Sequence, residues 1–116
     1  EDMPFIHVST STKIQEAEKE KLMKSFGKEI STLEGKSEQW LMVKISDDQK
    51  MCFQGNSKEP CGILEVSVYG SATPEEYEKL TEKLTATVAE STGIPKDRIY
   101  VKYAETPYWG WNGSNF

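Results

Sequence analysis

Few residues in this chain could carry chemistry, and the first of them is Pro4. It follows Met3, and methionine ahead of a small residue such as proline is commonly trimmed during synthesis. A chain trimmed there would begin with a secondary amine, residues 1–3 being an expression remnant or an N-terminal extension outside the fold. The structural alternative is that Pro4 starts an edge strand, which proline tolerates. Cys52 and Cys61 lack metal-ligand spacing and read as free thiols. His7 is the only histidine, so a zinc site or a Ser–His–Asp triad has little material, and neither metal nor cofactor is expected. The glycines of FGKEISTLEGKSE are wrongly spaced for a phosphate loop. NGS at 112–114 matches a glycosylation sequon and reads as silent without a secretory leader.

The elements that must position these residues come from 116 residues, 36% hydrophobic and 28% charged. That suits one domain, spanning 4–116, with a modest core. A net charge of −5 argues against a general nucleic-acid binder, which needs a cationic surface to neutralise phosphate. No long apolar run offers a membrane span. The expected location is cytoplasmic, with a non-classical route for any secreted form.

Sliding the chain by 58 residues lays FIHVS (5–9) on ILEVS (63–67) and GKSEQWLMVKI (35–45) on GIPKDRIYVKY (93–103). Leu22, Phe26 and Ile30 fall on Leu80, Leu84 and Val88, one helix face in each half. Each half, 4–58 and 62–116, therefore reads strand–helix–strand, the mark of a duplication. QEAEKEKLMKSFGKEISTLEG predicts a helix running to Gly35. TPEEYEKLTEKLTATVAESTG predicts a second, capped by Thr73, begun at Pro74 and stopped at Gly93. Two right-handed βαβ units give an α+β fold, a four-stranded mixed sheet with two helices on one face.

Alternation assigns Ile6, Val8, Leu41, Val43, Ile45, Leu64, Val66, Val68, Ile99, Val101 and Tyr103 to the helix-facing side. The other face carries Phe5, His7, Ser9, Met42, Lys44, Ile63, Glu65, Ser67, Tyr69, Tyr100 and Lys102. Left in water, Phe5, Ile63, Tyr69 and Tyr100 would form an exposed apolar area of the kind that marks an interface or a pocket. Self-association around this face would bury that margin and enclose a polar, solvated lumen.

A proline after the first methionine, GKSEQW after the first helix, SKEPC before the third strand, DRIYVKY in the fourth and WGWNGSNF at the end resemble the macrophage migration inhibitory factor family, part of the tautomerase superfamily. The resemblance runs from Met3 to Phe116. It implies a homotrimer of double βαβ units and a cofactor-free keto–enol isomerase, an intramolecular oxidoreductase. In that family the N-terminal proline amine is a general base that moves a proton between the enol and keto forms of an α-keto acid. A free α-amino group titrates near 8, and an apolar pocket or a nearby cation lowers that further, so the amine is unprotonated at neutral pH.

On this resemblance Pro4 is the catalytic base and Lys36 holds the substrate carboxylate. Without it, Lys36 reads as a solvated charge at a helix end. Tyr69 stands where the family commonly has isoleucine, whose backbone amide helps bind substrate. Tyr100 matches a tyrosine from the neighbouring subunit, and Lys102 replaces an asparagine of the same wall. Trp40, Trp109 and Phe116 match rim positions, whereas Trp111, with Gly110 and Asn112, reads as packing between subunits.

Cys61 has Leu64 three residues on, so the CxxC pair of vertebrate members, and a dithiol oxidoreductase role with it, lacks its second sulfur. The loop YGSATPEE is shorter than the family's usual one. The leading expectation is a tautomerase of phenylpyruvate-like or dopachrome-like substrates, small aromatic α-keto acids among them. The alternatives are a cytokine-like signalling protein that binds a cell-surface receptor, and a trimer with vestigial catalysis.

Overall fold

The computed structural model describes residues 3–116. Strand β1 (Pro4–Thr10), helix α1 (Glu16–Glu29) and strand β2 (Met42–Ser46) form the first unit. Strand β3 (Gly62–Tyr69), helix α2 (Pro74–Thr92) and strand β4 (Ile99–Thr106) form the second. A small hairpin, β5 (Gly110–Trp111) and β6 (Ser114–Asn115), closes the chain. The main sheet has the order β2–β1–β3–β4. Within each unit the strands are parallel; β1 and β3 meet antiparallel at the centre. No helix among the described residues is long and apolar enough to cross a membrane.

Helix α2 begins and ends on local chemistry. Thr73 accepts a hydrogen bond from the Glu76 amide at 3.1 Å, and the Glu76 carboxylate accepts from the Thr73 amide at 2.9 Å. This reciprocal cap satisfies two amides that a helix start leaves bare. Gly93 stops the helix in a left-handed conformation (φ 77°), which costs glycine little. Helix α1 is shorter than its sequence predicts. It ends at Glu29, a 3-10 turn covers Ile30–Thr32, and Leu33 is already extended. The Ser31 hydroxyl donates to the Lys28 carbonyl at 2.8 Å, competing for a helical acceptor. Breaking the helix there lets Leu33 turn into the core, where it is fully buried. Gly35 still has positive φ, 84°, because the chain must reverse at that point with or without a helix before it.

Leu22 and Phe26 on α1, with Ile30 in the 3-10 turn after it, meet Leu80, Leu84 and Val88 on α2, all fully buried, over Ile6, Val8, Leu64, Val66 and Val68 of the sheet. Leu41, Val43, Ile45, Val101 and Tyr103 pack half-buried around this cluster, and Ile99 sits within it. The opposite face is open, with Met42 and Tyr100 exposed at 67% and 59%. The edge-strand reading of Pro4 does not hold. Strand β1 lies between β2 and β3, and proline is accommodated there because it is the first residue of the strand.

Candidate active site

The first residues of β1 open onto a cavity of about 610 Å³ at one end of the sheet, within the range of small-molecule sites. Met3, Pro4 and Phe5 form one side, and Gln39, Trp40, Leu41 and Met42, leading into β2, form another. Ser67 near the end of β3, Thr106 at the end of β4 and the segment Trp109–Trp111 complete it. None of these lining residues is charged. An amine placed here would lose solvation in its protonated form, and its pKa would fall.

Two backbone devices shape the walls. In the closing hairpin, Asn112 and Gly113 both have positive φ, 54° and 85°, the pairing of a tight two-residue turn. That turn folds Trp111 back so that its ring meets Trp40 edge-on at 5.1 Å. Phe116 stacks on Trp111 at 6.5 Å and leans on Tyr69 at 5.7 Å. Gly27, inside α1, supplies the second. A side chain there would stand 3.1 Å from Cβ and 2.7 Å from Oε2 of Glu38, so glycine lets the segment carrying Lys36 and Trp40 lie directly on the helix.

Pro4, Trp40 and Trp109 thus come together as expected. Trp111 joins them on the wall, although its sequence context suggested packing between subunits. Alternation offered the missing signal, since Trp109 and Trp111 are two residues apart in extended chain and share a side. Tyr69 and Phe116 stand behind the wall. Tyr69 contributes its amide, which donates to the Met3 carbonyl at 3.0 Å. Met3 itself is only 3% exposed, so it plugs the cavity on the Pro4 side.

Lys36 is not a solvated charge; it is 5% exposed. It is absent from the cavity wall, and the 58-residue shift makes it the counterpart of Ile94. Pro4 pairs with Val68 and Thr10 with Gly62, and the 58-residue shift exchanges these two pairs. A Cβ on Gly62 would lie 3.6 Å from Cδ1 of Ile94. The same shift carries Gly62 back onto Pro4 and Ile94 back onto Lys36. Its charge is felt at Glu76, whose carboxyl is held below the ordinary range first by the Thr73 amide, then by the Glu34 amide, and least by Lys36.

Tyr100 and Lys102 are not brought to this cavity. Tyr100 pairs with Ile63 on β3, whereas Pro4 pairs with Val68. Five strand positions separate them, about 17 Å. Tyr100 instead meets Phe53 edge-on at 4.9 Å. Arg98 holds that loop by donating to the carbonyls of Pro60, Asn56, Glu59 and Phe53 at 2.8–3.3 Å, with its guanidinium 5.2 Å from the Phe53 ring centre. Lys102 lies 3.9 Å from Glu65.

Comparison with known proteins agrees with this architecture. Residues 3–116 match the model of the macrophage migration inhibitory factor family. The factor of Meriones unguiculatus is 28% identical over 98% of this chain and 99% of its own. A homologue from Brugia malayi is 27% identical with the same coverage. The crystal structure of Leishmania major MIF2 superposes with a TM-score of 0.91 at 32% identity, covering 98% of this chain and 97% of that one.

Proposed function

The chain belongs to the macrophage migration inhibitory factor family, and on that premise we propose that it is a cofactor-free keto–enol tautomerase of small aromatic α-keto acids such as phenylpyruvate. The observation that carries this reading is Pro4 at the mouth of an uncharged, tryptophan-walled cavity. With Pro4 as N-terminus, its amine takes a proton from the carbon next to the keto group. The electron pair moves into an enolate, and the same proton returns to oxygen as the enol; ketonisation is the reverse. The cavity wall lowers the amine's pKa, and Lys36 supplies the cation for the substrate carboxylate. Loss of Met3 frees the Tyr69 amide, which then donates to a substrate oxygen where it now donates to the Met3 carbonyl. Trp40, Trp109 and Trp111 clasp the ring.

We extend the proposal to a homotrimer. Tyr100 and Lys102 are too far from their own Pro4 to serve it, and association around the open face brings them toward a neighbour's cavity.

The test compares the chain as it stands with one beginning at Pro4. While Met3 is attached, the Pro4 nitrogen is an amide whose lone pair is delocalised into the carbonyl. Phenylpyruvate tautomerisation should be slower in the longer chain by about 10²–10⁴-fold, the usual weight of a general base. Equal rates would show that Pro4 is not the base.

A further inference from the structure

The open face of the sheet brings together a serine, the only histidine and a glutamate. His7 on β1 stands directly opposite Glu65 on β3, and Ser46 ends β2 beside it. Nε2 of His7 lies 2.9 Å from the Ser46 hydroxyl, and Nδ1 lies 3.5 Å from Oε1 of Glu65. The Glu65 carboxylate faces Nδ1 and the serine faces Nε2, the arrangement in which a ring proton on Nδ1 would leave the Nε2 lone pair toward the hydroxyl. Oε2 of Glu65 is 3.9 Å from the Lys102 ammonium. Lys44 pairs with His7 in the strand register and shares a face with Ser46 two residues on. We propose that Ser46, His7 and Glu65 form a nucleophile–base–carboxylate relay that hydrolyses small activated carboxylic esters.

The chemistry balances without a cofactor. The Ser46 oxygen adds to the ester carbonyl as its proton passes to His7 Nε2, and Lys44 offers positive charge to the tetrahedral oxyanion. Collapse expels the alcohol oxygen, which takes the proton from His7 and leaves an acyl ester on Ser46. Water then adds to that ester, giving its proton to His7, and the serine departs with that proton as the carboxylic acid is released. Ladder pairing across β2, β1 and β3 fixes all three residues, so the relay rests on rigid elements rather than loops. A second hydroxyl, Ser9, lies 3.4 Å from the same nitrogen; the shorter contact selects Ser46. Nothing in this relay uses Pro4 or the tryptophan-walled cavity, so it stands or falls independently of the tautomerase reading.

The experiment is p-nitrophenyl acetate hydrolysis by the full chain, with peptide mass mapping of the protein quenched during turnover. The expected results are an acetyl group on Ser46 and a loss of about 100-fold in Ser46→Ala, the scale of a removed base or nucleophile. His7→Gln should lose as much, and the double variant no more, because relay members act as one unit. Circular dichroism of each variant should match the parent. Acetyl found only on lysines or the N-terminal amine, or a rate kept in Ser46→Ala, would overturn the proposal. So would hydrolysis no faster than free imidazole supplies.

Discussion

Lys36 occupies the position that the second repeat fills with Ile94, and the two are 5% and 1% exposed. The first repeat thus buries an ammonium where the second buries an alkyl side chain. Lys36→Ile should lower kcat/KM for phenylpyruvate, measured on a chain beginning at Pro4. A lost charged hydrogen bond is worth about 1.5–3 kcal/mol, roughly 10- to 150-fold in kcat/KM. An unchanged kcat/KM would remove Lys36 from the carboxylate site. Sequence made Pro4, Trp40 and Trp109 legible as neighbours of a site, because each sits in a motif. It did not reveal the burial of Lys36, since a lysine just after a helix is ordinarily solvated. The meeting of Ser46, His7 and Glu65 was equally hidden, because it depends on register between strands far apart in the chain.

At the level of elements, two carboxylates tie the helices to their surroundings. Oδ2 of Asp47, just past β2, accepts from the Ile14 amide at 2.7 Å, and Lys19 lies 3.3 Å from its other oxygen. Glu76 caps α2 and also accepts from the Glu34 amide at 3.0 Å. Both carboxyls are held below the ordinary range, Asp47 chiefly by the Ile14 amide and Glu76 chiefly by the Thr73 amide. A folded-state pKa below the unfolded one gives stability that is complete above the ordinary carboxylate value of about 4 and is lost as pH falls through the folded value. Glu29 acts in the opposite sense, its pKa raised first by burial and lowered less by the Thr87 hydroxyl. Urea midpoints should fall on acidification from about pH 5 to about pH 3, and Asp47→Asn should make that fall shallower. An identical slope in the variant would discount the Ile14 contact. Strand faces and the α2 termini could be read in advance, because alternation and capping are local rules. The end of α1 could not, because it is set by where Leu33 must go.

For the whole molecule, the proposed assembly rests on the open face. Met42 and Tyr100 are exposed there around a charged centre, and a closed ring buries such a margin without leaving a surface for further growth. Sedimentation at micromolar concentration should give about 40 kDa, three chains of 13.2 kDa. A stable monomer would deprive each cavity of the neighbour's Tyr100. The same sheet has another consequence, for the order in which the molecule comes into being. Strand β1 finds β2 across a single crossover, but Thr10 must find Gly62 and Pro4 must find Val68. While the chain is being synthesised, the first unit can complete its own contacts, yet one flank of β1 stays bare until β3 emerges. Distant pairings are slow because the intervening chain must be closed into a loop first. The meeting of the two halves should therefore be slower than the formation of either, so substitutions in the β1–β3 seam should slow refolding more than substitutions within one unit, and the interval before it is when the bare flank is open to pairing with another nascent chain.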